Sequence, residues 1–244
     1  MGEIIAVLSG KGGTGKTSIC AGVSTALAKL GASVLCIDCD MQLRNLDISL
    51  GMSDSGALSF LDVCEGPYSL EQAARHPLYE TLYFLTSAVN RTAESVEPEA
   101  FGAMIRSAKR KYDYVFLDAP AGIDAGFHLA ARFCDRVLLV TGADPAAVRD
   151  ATRAGDILET MGKTNVRLVV NRVNARLFST MAVTVDDVMD TAGLPLIGVV
   201  PEDPNVTLAA AFGRPLIAQS RRGAARACVS IAKRIQGMRV PLSF

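Results

Sequence analysis

Apolar residues fall along this chain in short, nearly unbroken runs, separated by longer stretches in which they recur every three or four positions. The runs at 4–8, 33–38, 82–85, 114–118, 136–141, 166–171 and 195–200 predict strands covered on both faces, because a strand with one solvated face alternates apolar with polar. The stretches between predict a first helix ending near Leu30, where Gly31 supplies a stop. Weaker helices are expected at 56–64 and 69–76, one from 99 to 111, and others at 145–161, 183–191 and 222–236. Strands alternating with helices predict an α/β fold, a mostly parallel sheet with helices on both faces. No internal repeat, low-complexity run or linker divides the 244 residues, so one domain over 1–244 is expected, with a basic helix at about 222–236.

Composition narrows the class. Half the residues are hydrophobic, yet no apolar run approaches the length of a membrane span. The first strand begins almost at once, without the charged, apolar and small-residue regions of a secretory signal. Six cysteines in such a chain suit reduced thiols in a cytosol. Net charge is zero but uneven: no Asp or Glu follows Asp203, whereas Arg214, Arg221, Arg222, Arg226, Lys233, Arg234 and Arg239 do.

The candidate chemistry centres on Gly10-Lys11-Gly12-Gly13-Thr14-Gly15-Lys16-Thr17, which fits G-x-x-x-x-G-K-[ST] between a predicted strand and a predicted helix. Glycines let the backbone approach phosphate oxygens, and loop amides with the helix's positive end favour anionic charge. In this reading Lys16 reaches the β and γ phosphates, Thr17 ligates Mg²⁺, and Ser18 stands beside them. Lys11 is either a charge for the transferring phosphoryl group or a solvated loop lysine. The polar ends of the other strands face the same crevice. Asp38 and Asp40 suit support of Mg²⁺ through water and orientation of an attacking water, or simple capping. Asp118, ending an apolar strand before Ala119-Pro120-Ala121-Gly122, suits presentation to Mg²⁺ and its waters, or a plain strand-end turn. Asn171 is an amide at a strand end, fitted to adenine's edge or to an ordinary turn.

Lys11-Gly12-Gly13-Thr14-Gly15-Lys16-Thr17 resembles the deviant Walker A signature of the ParA/MinD ATPases, and 43–47 resembles switch I of that family's MinD branch. The resemblance runs from Glu3 to about Leu242 and implies a P-loop NTPase domain of the SIMIBI type. It implies ATP and Mg²⁺ as ligands, slow hydrolysis stimulated by a protein activator, and Lys11 crossing a nucleotide-sandwich homodimer. It further implies that Asp40 activates water and that Pro201-Glu202-Asp203 wraps the base. Arg44, Asn45 and Asp150 would belong to a dimer or partner surface, with a division-inhibitor protein among the partners. The expected function is a positional switch for cell-division site selection, cytoplasmic or peripheral on the inner face of the cell membrane. MinD proteins usually continue into a short amphipathic basic helix; 239–244, interrupted by Pro241, is too short to supply one.

Two rivals remain at this stage: a DNA-segregation ATPase that binds duplex through the basic C-terminal face, and a non-hydrolysing ATP-held scaffold. In the terminal helix Ala225, Cys228, Val229, Ala232 and Ile235 recur at helical spacing, which favours a core-packed helix with a solvated basic face over an anion-binding one. Aromatics make up only 6% of the chain and none interleaves with this basic run, so a stacking platform for single strands is poorly supported. Cys36 and Cys39 form C-x-x-C, but their odd separation along a strand sends them to opposite faces, which does not suit a shared metal. Neither His76 nor His128 is assigned to a metal or a proton relay.

Overall fold

The computed structural model describes residues 2–89, 91–174, 176, 180 and 184–242. Its strands are β1 (Glu3–Leu8), β2 (Val34–Asp38), β3 (Ala74–Arg75), β4 (Leu82–Leu85), β5 (Tyr114–Asp118), β6 (Arg136–Thr141), β7 (Val166–Val173) and β8 (Leu196–Pro201). They form one sheet in the order β3-β4-β2-β5-β1-β6-β7-β8, parallel throughout except for the antiparallel β3–β4 pair. The helices are α1 (Lys16–Lys29), α2 (Leu46–Leu50), α3 (Phe60–Cys64), α4 (Pro98–Lys111), α5 (Ala125–Phe133) and α6 (Pro145–Thr160). They continue with α7 (Val185–Ala192), α8 (Pro204–Ala211), α9 (Leu216–Gln219) and α10 (Gly223–Ile235).

The unbroken apolar runs are explained by alternate burial. Along β1, Ile5 and Val7 pack with α1 and α10 on one face, while Ile4, Ala6 and Leu8 pack with α4, α5 and α6 on the other. A third, smaller cluster joins Val148, Leu168, Val170, Val188 and Val199 beneath α6 and α7. Cys36 lies in the first layer and Cys39 in the second. Among the described residues no group of three or more His, Cys, Asp or Glu is gathered as a metal site. The terminal helix buries Ala225, Cys228, Ala232 and Ile235 and leaves Arg222 and Arg226 exposed, as a core-packed helix with a solvated basic face should.

Several expected elements need correction. The helix expected at 56–64 is confined to α3, because Ser59 and Asp62 form a capping box that starts the helix at Phe60. The one expected at 69–76 is a single 3₁₀ turn at Leu70–Gln72, after which Ala74–Arg75 pairs with β4 as an edge strand. Helices α2, α5, α8 and α9 are additional. The expected start of the helix at 183 lies outside the described residues; the described part begins at Val185.

Position in the sheet locates the crevice. β1 lies between β5 and β6; the chain runs first toward β2 and later returns to build β6, β7 and β8 on the other side. Beyond the carboxyl ends of strands at such a reversal, loops diverge and leave room for a ligand.

Candidate functional site

The glycine loop leaves β1 at this reversal. Gly13 and Gly15 have φ of 81° and 84°, the left-handed region that glycine takes without penalty. Gly15 is the N-cap of α1, which has no side-chain cap and no acidic residue in its first turn. The helix's positive end is therefore left for an anion. At Gly10 the reason is close approach: a Cβ there would lie 2.3 Å from the backbone oxygen of Asp150, so the loop's first turn sits directly on α6.

Beneath the loop, Lys16 Nζ donates to Asp118 Oδ1 at 2.9 Å, and both side chains are buried. Burial alone would pull the lysine's pKa down; the adjacent Asp118 carboxylate reverses this and raises it, so the ammonium stays charged. Asp118 stands in register with Val7 on β1 and with Asp38 on β2. Burial, then the charge of Asp118, push Asp38 up to about 7. Oδ2 of Asp118 is buried without a hydrogen-bond partner, and Thr17 lies against the same carboxylate. A threonine hydroxyl beside an unsatisfied carboxylate oxygen fits Mg²⁺, which keeps most of its waters and needs few protein ligands.

The two acids after β2 also organise the segment that follows. Asp38 accepts from the backbone N–H of Asp40 at 2.9 Å and of Leu46 at 3.2 Å. Asp40 Oδ1 accepts from Gln42 N and Leu43 N, closing the turn in which Arg44 takes φ 48°. Arg44 Nη2 reaches Thr86 Oγ1 at 3.2 Å, and Asn45 begins α2. This holds Leu43 and Ile48 outward as exposed apolar side chains. Both acids therefore cap backbone, the ordinary role weighed for them, at the rim of the phosphate crevice.

Lys11 points to the other side of the loop, where Nζ meets Asp144 Oδ1 at 3.1 Å. The same oxygen caps α6 by accepting from Ala147 N at 3.0 Å. Val148, Arg149 and Thr152 line a groove of about 630 Å³ between α6 and α7, and Asp150 lies on α6 against Gly10.

A second cleft, of about 900 Å³, opens beside Gly15 and Ser18 and is walled by Asn171, Pro201, Glu202 and Asp203. The predicted base-side residues thus converge, but Asn171, Glu202 and Asp203 are already engaged, Glu202 by Asn174 Nδ2 at 3.4 Å. Asn171 Nδ2 donates to the Thr14 carbonyl at 2.8 Å. The Asp203 carboxylate accepts from Asn205 N and Ala224 N, each at 2.9 Å, and so caps α8 and α10 together. Sequence reasoning missed Asp144, whose one signal is the Asp-Pro pair that opens a helix, and Arg172, which carried no signal at all.

An apolar strand running into a glycine loop that opens a helix, with a buried Lys–Asp pair below, defines a phosphate-loop nucleotide-binding fold. A model of the CobQ/CobB/MinD/ParA nucleotide binding domain matches residues 5–216. The septum site-determining protein MinD of Synechocystis sp. is 34% identical over 99% of this chain and 92% of its own length. The MinC:MinD cell division protein complex of Aquifex aeolicus contains a similar chain, with a TM-score of 0.92 at 34% identity, covering 99% of this chain and 98% of that one. MinD from Pyrococcus horikoshii, complexed with Mg-ADP, gives 0.84 at 30% identity over 96% of each chain. The chain belongs to the MinD family.

Proposed function

We propose that this chain is a MinD-like ATPase that works as an ATP-dependent dimerising switch in placing the cell-division site. It binds ATP and Mg²⁺ and hydrolyses ATP to ADP and phosphate. In this reading the amides of Gly12, Gly13, Thr14 and Gly15 receive phosphate oxygens, with Lys16 supplying the charge and Thr17 and Ser18 the hydroxyls. Thr17 would hold Mg²⁺ directly and Asp38, Asp40 and Asp118 would hold its waters; when bound, the ion would supply positive charge against the phosphates. Asp40 orients the attacking water. Asn171, Pro201, Glu202 and Asp203 enclose the base. The 244 residues act as one unit.

The observation that carries the dimer is Lys11. Its ammonium rests on an exposed carboxylate of α6, where the pair is weak and readily exchanged for a partner's phosphates. Exposed Leu43 and Ile48 near Arg44 and Asn45, together with α6 around Asp150, offer surfaces for the partner subunit, an activator of hydrolysis, and a division inhibitor such as the MinC of the Aquifex complex. A peripheral station on the inner face of the membrane is supported by exposed Arg221, Arg222 and Arg226, since no described helix is long and apolar enough to cross one.

The test is the mass in solution with ADP and with ATP, using Asp40→Ala to prevent hydrolysis. A dimer with ATP alone is expected. A monomer under both conditions, with ATP demonstrably bound, would overturn the switch.

A further inference from the structure

We propose that Asn171 and Arg172 are positioning residues that together clamp the phosphate loop, fixing two consecutive peptide planes and thereby the affinity for nucleotide. In a regular strand consecutive side chains point to opposite faces. These two are neighbours on β7, yet both reach the same loop: Asn171 Nδ2 donates to the Thr14 carbonyl at 2.8 Å and Arg172 Nη1 to the Gly13 carbonyl at 3.2 Å. The departure from regularity is visible in the backbone. Arg172 has φ 56°, and the β7–β8 register shifts between Val170 and Val173. Glycine or asparagine takes the left-handed region more readily than arginine. What distinguishes arginine at this position is a guanidinium long enough to reach the loop.

The consequence for the loop follows from peptide geometry. Across a planar trans peptide the C=O and the following N–H point in opposite directions, and no cis bond is present among the described residues. Holding the carbonyls of Gly13 and Thr14 toward β7 therefore turns the N–H groups of Thr14 and Gly15 away from β7, as an anion-binding nest requires. Gly13 and Gly15 have no Cβ to resist rotation of these planes, so the anchoring comes from outside the loop. The clamp's outer member is itself steered: Glu202, on the wall of the base-side cleft, lies 3.9 Å from the Arg172 guanidinium. Base-side wall and phosphate loop are thus tied through one exposed arginine.

The clamp rests on the reading that this loop receives the nucleotide's phosphates, and ADP binding to the protein with Mg²⁺ separates the two. Arg172→Gly removes the guanidinium and welcomes the backbone conformation; Arg172→Ala removes it and keeps the strain. Both should weaken ADP and ATP alike by about five- to tenfold, the worth of one ordinary hydrogen bond, since the guanidinium is exposed. Arg172→Lys should recover part of this, and turnover at saturating ATP should change by less than about twofold, because the loop closes normally once filled. Asn171→Ala, which also alters the wall of the base-side cleft, should weaken ADP at least as much; R172G, altered at an exposed side chain, carries the test of the clamp. Wild-type ADP affinity in R172G, or lost turnover with unchanged affinity, overturns the clamp alone. Wild-type protein that binds no nucleotide overturns the functional reading, and the clamp with it.

Discussion

The two ends of the crevice are built in opposite ways. At the phosphate end, Asp118 and Asp38 end regular parallel strands in direct register across β5 and β2, and Lys16 enters from the first turn of α1 to pair with Asp118. At the base end, Asn171 and Arg172 come from a strand with a shifted register and a left-handed residue. A regular ladder fixes its charges by burial, so a change there leaves an uncompensated ion. The irregular strand places its two donors, a buried neutral amide and an exposed guanidinium, by local backbone geometry, so a change there loosens the loop without leaving a buried charge. The expected hierarchy is large effects on stability and binding together at the phosphate end, and graded effects on binding alone at the base end.

The largest effect should come from breaking the buried pair. Lys16→Ala should abolish ATP binding and lower the unfolding free energy by about 3 kcal/mol at alkaline pH, because Asp118 is left buried and unpaired beside Asp38. The sign with pH is defined. With its cation gone, Asp118 has its folded pKa raised further, so the variant's deficit grows as pH rises and shrinks in acid, where a proton replaces the ammonium. Denaturant unfolding of wild type and K16A at two pH values checks this, and a pH-independent deficit would refute the buried-ion account. Next in size is Gly10→Ala, whose Cβ would lie 2.3 Å from the Asp150 backbone oxygen. Backbone on both sides gives no relief, so a loss of about 1–3 kcal/mol is expected. An unperturbed melting temperature would show that α6 yields easily and that the phosphate end is less rigid than its geometry implies.

The same contrast explains what was legible in the sequence. The phosphate loop, the strand-end acids and the parallel sheet announce themselves because each is contiguous: a run of glycines, an apolar run, a terminal Asp. Ser59 and Ser69 open capping boxes on short elements, a five-residue helix and a 3₁₀ turn, where apolar spacing alone predicts longer helices. Helix α5 escaped because a glycine and three alanines in nine residues leave few large apolar positions to mark it between strands. The contacts of Asp144 and Arg172 were hidden for a deeper reason, the Asp-Pro pair marking only a helix start. Their partners lie 133 and 159 residues away in the chain, and nothing local marks an arginine for positive φ. For Asp38 and Asp40 capping stood beside metal support as an open alternative, and for Asp203 nothing marked it, since such a carboxylate looks the same in sequence whether it faces metal water or backbone N–H.

A moderate effect is expected where the phosphate loop meets α6. Asp144→Asn keeps the oxygen that caps Ala147 but removes the charge that holds Lys11. The pair is exposed, so its release should lower the ATP concentration needed for half-maximal dimerisation by roughly two- to fivefold and no more. Light scattering across an ATP titration in the Asp40→Ala background measures it. An unchanged or higher midpoint would mean that Asp144 does not hold the lysine back.

The smallest effect probes whether the phosphate end is propped from a distance. His76 is buried, with Nε2 at 2.9 Å from the Leu50 carbonyl at the end of α2, and Nδ1 at 3.0 Å from Leu78 N and 3.3 Å from Tyr79 N. A carbonyl only accepts and a backbone N–H only donates, so the ring is neutral, with its proton on Nε2. Burial lowers its pKa, with the Leu50 contact acting the other way. The folded state then binds fewer protons than the unfolded one. This contribution to stability is complete above the unfolded pKa, near 6.5, and is lost as pH falls toward the lowered folded value. Asp38 works in the opposite sense, its carboxyl raised to about 7, so the raw pH profile mixes the two. His76→Gln isolates the histidine: from about pH 7 to about pH 5 its melting temperature should fall less than that of wild type. Parallel curves would show that the ring titrates freely and that α2, which follows the segment organised by Asp38 and Asp40, is held by those two acids alone.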